Sequence, residues 1–176
     1  TRDRLEQATS ARRGQARTRI EVILPPLGDV RVPTLEDTSA VRRSLNVGPD
    51  VPLLLYPGDL EVSHGARIVR GAAVVIAERH PTAIIVFAYR DKTPAAARTA
   101  GDLVRDLDPK RVRFVREAND IPALVRTSAA VLFPVDDLYG KVDIPIVLLQ
   151  AMALGTPIVT YRQGPLADLE GVELVG

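Results

Sequence analysis

The sequence contains no cysteine and no tryptophan, one methionine, and aromatic residues at only 4%. Without cysteine, disulfides and thiolate zinc sites are excluded, and a reducing compartment is the natural expectation. An excess of charge of either sign is also lacking. The 23 Lys and Arg residues stand against 22 Asp and Glu, for a net charge of +1, which argues against a surface for duplex nucleic acid. No apolar run is long enough to span a bilayer, and the start lacks the hydrophobic region of a signal peptide. Absent too are G-x-G-x-x-G, a Walker A loop and a G-x-S-x-G elbow, which removes the dinucleotide, P-loop and α/β-hydrolase fingerprints.

What is present describes a globular chain. Of its 176 residues, 46% are hydrophobic and 26% charged, enough for one domain with a proper core. The chain starts at Thr1 with an Arg-rich stretch, "TRDRLEQATSARRGQAR". Its sparse apolar positions suit a solvated helix or linker over residues 1–19, in a piece of a longer protein. Residues 20–50 read as a short strand, Ile20 to Leu27, then a loop and a short helix. Thr38 or Ser39 would cap that helix, and it would stop near Gly48.

From residue 51 onward the pattern becomes regular. Strands are expected at 52–57, 83–89, 112–116, 129–134, 157–161 and 172–175. Helices are expected between them, at Gly65 to Glu78, Pro94 to Leu107, Ile121 to Arg126, Pro145 to Leu154 and Pro165 to Leu169. The strands are continuous apolar runs rather than alternating ones, as in a parallel sheet covered on both faces. Strand–helix alternation with short connections gives a doubly wound, Rossmann-like α/β domain over 51–176.

Ligands in such sheets sit beyond the carboxyl ends of the strands, where strand order switches. "PIVLLQAMALG" is an almost wholly apolar helix closed by Gly155, so burial is expected. Asp143 would be its N-cap and Pro145 would lie in its first turn. Its N-terminus, near Ile144 to Val147, would aim backbone N–H groups and the positive dipole end into the crevice, an anion site that needs no lysine. Lys141 stands just ahead of it. Arg90, Lys92, Arg116 and Arg162 also follow strands, with Lys141 and Arg90 the favoured charges. The competing reading is that they are solvated or pair with Asp59, Asp91 or Asp136, and surface pairs are worth little. Asp136-Asp137 would need further carboxylates to hold a metal. His64 is either a neutral donor or a helix-start residue, and His80 before Pro81 reads as a loop residue.

Three stretches carry a family likeness. "DIPIVLLQAMALGTPIVTY" resembles the E-x7-E and A-M-A-x-G-x-P-V-V signature of the group 4 retaining glycosyltransferases, of GT-B fold. "LLLYPGDLEVSHGA" is similar to that family's V-x-Y-V-G-R-x-x-x-x-K-G strand, and "VILPPLGDVRVP" to its interdomain linker. The resemblance implies a C-terminal domain that binds a nucleotide-sugar donor. The acceptor (a glycan, lipid or small molecule) would be held mainly by a missing N-terminal domain. Transfer would proceed with retention and without metal or cofactor. A cytoplasmic protein is implied, with peripheral membrane association left open through the missing part.

The departures are specific. The family Arg falls at Asp59 and its Lys at His64, while the two Glu positions fall at Val142 and Gln150. Asp143, one residue away, would stand in for the first carboxylate at the donor sugar, and Gln150 would hydrogen-bond the ribose. Backbone amides near Gly58 and at Ile144 to Val147 would hold the diphosphate, with charge from Lys141 or Arg90. The base would lie against the loop Arg116 to Asn119. Two alternatives remain open: a non-catalytic GT-B-like module that binds a nucleotide or partner, and a sugar-nucleotide epimerase.

Overall fold

A computed structural model describes residues 28–105, 107–136, 144–162, 164–169 and 173–175. The expected strand Ile20 to Leu27 and the basic segment 1–19 lie outside these residues. The first helix, α1 (Leu35–Ser44), starts earlier than Thr38 or Ser39 would allow. Thr34 is the cap: its Oγ1 accepts from the Asp37 amide at 3.2 Å, and the Asp37 carboxylate accepts from the Thr34 amide at 2.8 Å. Asp37 plays the part usually given to Glu or Gln in this reciprocal box. The helix stops before Gly48 because Asn46 takes a left-handed φ of 52°. The amides of Asn46 and Val47 then close back onto the carbonyls of Arg43 and Arg42, a Schellman end that Asn tolerates.

The remainder alternates: β1 (Leu53–Pro57), α2 (Gly65–Arg79), β2 (Ile84–Tyr89), α3 (Ala96–Val104), β3 (Val112–Arg116), α4 (Ile121–Thr127), β4 (Ala130–Phe133), α5 (Ile146–Ala153), β5 (Ile158–Tyr161) and β6 (Glu173–Val175). In place of the helix expected at Pro165 to Leu169 there is a 3₁₀ turn, Gly164–Asp168. Helix α3 is shorter than expected at both ends. Thr93 opens it by accepting the amides of Ala95 and Ala96 on its hydroxyl and carbonyl.

All strand pairings are parallel, in the order β3-β2-β1-β4-β5-β6. Each face of the sheet has its own core. On one side Leu53, Leu55 and Val131 pack with Leu124 of α4 and Leu148 of α5. On the other, Tyr56, Ile85 and Phe87 pack with Val69 of α2 and Leu103 of α3. Strand β2 is buried along almost its whole length, which explains its unbroken apolar run. Each fully buried Leu or Phe contributes roughly 1.5–3 kcal/mol.

Strand order reverses between β1 and β4, so the loops after those strands, and after β2 beside them, border the crevice where ligands of such sheets sit. Helix α5 closes as expected: Gly155 has a φ of 66°, and the amides of Gly155 and Thr156 bond the carbonyls of Met152 and Ala151. Its burial is less complete than its composition suggests. Leu148 and Ala151 are fully buried, whereas Ile146 is 57% exposed and Met152 38%. Apolar composition reports the tendency to bury a helix, while the sheet covers only one of its sides.

Candidate functional site

The site begins where β1 ends. Tyr56 is fully buried, its ring tilted against Phe87 at 5.8 Å between centroids. Its hydroxyl donates to the Asp59 carbonyl at 2.8 Å. Burial pushes the phenol far above its usual range, so it remains a donor. The chain turns over this ring at Gly58 and starts α2 beside it at Gly65. A Cβ on either glycine would meet the Tyr56 hydroxyl at 2.6 or 2.8 Å.

The acids of this turn serve local structure. Asp59 is buried, and its Oδ1 accepts the amides of Val62 at 2.7 Å and Ser63 at 2.9 Å. Glu61 reaches another loop. Its Oε1 accepts the amides of Lys92 and Thr93 at 3.0 and 2.9 Å, and its Oε2 accepts the Leu60 amide at 3.1 Å. Burial alone would raise the Glu61 carboxyl, but these amides together hold it below its ordinary value. The folded-state pKa is therefore depressed. The contribution of these bonds is complete above the 4.5 of an unperturbed Glu and is lost as pH falls through the lower folded value. A carbon-detected NMR titration of Glu61 is expected to give a midpoint below 4.5.

A cleft of about 400 Å³ opens at the carboxyl ends of the strands, within the range of small-ligand sites. Pro57, Gly58 and Asp59 form its floor, and Ala88 to Arg90 with Lys92 form the β2 side. Ala118 and Ile121 face them from the β3–α4 connection, and Ile146, Val147 and Gln150 complete it from α5. The cleft is therefore apolar on one side and cationic on the other. Among the described residues neither the Arg90 nor the Lys92 side chain is joined to a carboxylate. The amides of Ile146 and Val147 precede the first bond of the helix, from Leu148 to the Pro145 carbonyl, and so belong to the unsatisfied N-terminal set.

The structure thus brings Gly58, Asp59, Arg90, Ile146, Val147 and Gln150 together. Others of the expected residues stand elsewhere. Arg116 forms an ion pair with Asp91 at 2.6 Å and borders a separate hollow of about 360 Å³ between α1 and α4, with Glu117 and Asn119. His64 does not line the cleft. Its Nδ1 meets Asp136 Oδ2 at 2.6 Å, and that hydrogen bond holds the Asp136 carboxyl below its usual range. Ile144 is buried, and Pro145 is itself the cap of α5 in extended geometry, with ψ 131°, rather than a first-turn residue. Lys141 and Asp143 lie outside the described residues.

The sequence names Lys92 only as a strand-end candidate, and Glu61 is not legible as part of the site. Lys92 is one strand-end cation among several, and only the fold turns it into the cleft. Glu61 gave no signal because its partners lie 31 and 32 residues away. Among the described residues no group of three or more His, Asp or Glu is placed to hold a metal ion, and no helix is long and apolar enough to cross a membrane. A further hollow of about 390 Å³ lies at the opposite end of β2 and β3, between α2 and the end of α3. Its Arg111 is engaged with the carbonyls of Ala77 and Pro81.

The fold and the sequence both have relatives. The chain is 28% identical over 163 residues to the D-inositol 3-phosphate glycosyltransferase of Actinosynnema mirum, matching 86% of this chain and 38% of that protein. It therefore spans under two fifths of that relative. An Anabaena protein, HepE, solved in complex with UDP-glucose, superposes with a TM-score of 0.68 at 20% identity, over 81% of this chain and 39% of that one. The catalytic domain of starch synthase IV from Arabidopsis thaliana, bound to ADP and acarbose, gives 0.57 at 19% identity, over 76% and 27%. At these identities the structural likeness shows the fold, a parallel Rossmann-like sheet consistent with one half of a GT-B architecture. The match that decides membership is to the family model described as Glycosyl transferases group 1, over residues 51–174. The chain belongs to that family.

Proposed function

We propose that this chain is the donor-binding half of a retaining, metal-independent glycosyltransferase of the group 4 type. The observation that carries the reading is the cleft at the switch of strand order, where Arg90 and Lys92 face the N-terminus of α5 and Gln150. As a sugar leaves its nucleotide, negative charge grows on the departing diphosphate. Fixed cations and backbone amides aimed at that charge stabilise it without reorganisation. Arg90, Lys92 and the amides of Ile146 and Val147 supply these groups. Gln150 hydrogen-bonds the ribose, and the apolar side at Ala118 and Ile121 receives the base. The UDP-glucose, UDP and ADP named for the solved relatives support a nucleoside diphosphate donor. A further domain of the protein holds the acceptor and completes the cleft.

A binding module without transfer activity is the second reading. It is favoured by the fate of two of the four altered family positions, since Asp59 caps its own turn and His64 pairs with Asp136. Calorimetry of the intact protein with UDP, GDP and ADP is expected to give saturable binding of at least one of them. Binding with release of free sugar from the corresponding nucleotide-sugar supports the transferase. Binding without turnover, across nucleotide-sugars and acceptors, supports the module. If millimolar nucleotide leaves no heat and no thermal shift, the transferase reading fails and a module that binds a partner is favoured.

A further inference from the structure

Two acids, Asp91 and Glu61, hold the loop that carries the two cleft cations. That loop runs from Tyr89 at the end of β2 to Ala96 at the start of α3. Asp91, between Arg90 and Lys92, is held by Arg116 at 2.6 Å. Glu61, from the β1–α2 turn, accepts the amides of Lys92 and Thr93 at 3.0 and 2.9 Å, with the Thr93 hydroxyl at 3.4 Å. The Thr93 side chain and carbonyl then receive the first amides of α3. The backbone of residues 91–93 is thus tied on one side to β3 and on the other to the turn after β1.

We propose that Glu61 is a positioning residue, clamping the β2–α3 loop so that Arg90 and Lys92 stand in the cleft as a preformed cation pair for a diphosphate. The inference rests on the donor-site reading above and deepens it. Long cationic side chains lose freedom when they engage an anion. A loop already ordered on folding removes part of that cost from binding. The charge of Glu61 would by itself repel an anion. Its oxygens, however, are engaged with N–H and O–H donors on the loops, and binding gains more from a fixed loop than it loses to that screened repulsion.

The test compares Glu61→Ala and Glu61→Gln with wild type in the intact protein, using UDP and inorganic pyrophosphate as separate ligands. Glutamine keeps one oxygen able to accept both the Lys92 and Thr93 amides. Glu61→Ala is expected to weaken UDP by about tenfold, the scale of losing charge-assisted hydrogen bonds. Glu61→Gln should recover most of that loss. Amide exchange at Lys92 and Thr93 should quicken in the alanine variant while the remainder of the sheet keeps its protection.

Unchanged UDP affinity in Glu61→Ala overturns the clamp and leaves the donor reading intact. Equal tightening in both variants overturns it as well, because charge repulsion would then dominate. Loss of protection throughout the sheet reduces Glu61 to a general structural role and likewise overturns the proposal. Wild-type binding of pyrophosphate but not UDP, with the same Glu61 dependence, keeps the clamp and sinks the nucleotide reading. If wild type binds neither ligand, both fall.

Discussion

An Arg90→Glu, Lys92→Glu double variant is expected to bind UDP at least about a hundredfold more weakly than the wild-type protein, a loss of roughly 2.7 kcal/mol. Both side chains line the cleft, and neither is joined to a carboxylate among the described residues. Their charge is therefore available to a ligand. A hydrogen bond to a charged group contributes roughly 1.5–3 kcal/mol, and reversal adds repulsion to the loss. Arg79→Glu is the control, because Arg79 is exposed in the last turn of α2 and does not line the cleft. Its effect on UDP is expected to be several-fold smaller. Both cleft cations are exposed, so wild-type affinity should fall as salt rises, and the double variant should lose most of that dependence. A loss under about threefold in the double variant would remove these residues from the site and leave the α5 N-terminus to hold the anion without them.

The second large effect concerns stability. Gly58→Ala and Gly65→Ala are each expected to lower it by about 1–3 kcal/mol, the range for forcing a methyl into a filled core. The Gly58 methyl would stand 2.6 Å from the Tyr56 hydroxyl and 2.7 Å from Cζ; the Gly65 methyl would stand 2.8 Å from the hydroxyl and 3.1 Å from a Val135 methyl. Tyr56 has no room to withdraw, being fully buried, packed on Phe87 and bonded to the Asp59 carbonyl. Helix propensity points the other way at Gly65, the first residue of α2, where alanine gains up to about 1 kcal/mol. The sign therefore tests the account: urea denaturation showing stabilisation at either position would sink it. Tyr56→Phe should not rescue Gly58→Ala, because Cζ remains in place.

These glycines show how far a motif read from sequence carries. "PGDLEVSHG" reads as a glycine turn shaped for a phosphate, and Gly58 does lie on the cleft floor. The need for glycine at both positions, however, comes from an internal ring. The acids of that turn are out of place in a phosphate setting, and the fold accounts for them. Asp59 and Glu61 accept backbone amides, Asp59 within its own turn and Glu61 also across to the next loop. The α1 cap falls at Thr34 rather than at Thr38 or Ser39 for a related reason. Thr34, Thr38 and Ser39 are all capping types, and only the reciprocal bond with Asp37 distinguishes Thr34.

By itself the sequence determined the order and type of the strands and the parallel, doubly covered sheet. It also placed the end of α5 at Gly155 and the position of the crevice. These follow from hydrophobic period, from run length and from where glycine permits a left-handed turn, all of which are local. The tertiary structure alone decided which charges meet. His64 pairs with Asp136 across 72 positions, and Glu61 reaches Lys92 across 31, while Arg90 and Lys92 are left to the cleft. Those choices depend on which loops the order β3-β2-β1-β4-β5-β6 sets side by side. A carboxylate binds whichever donors the fold brings within 3 Å or so, and sequence separation does not encode that distance.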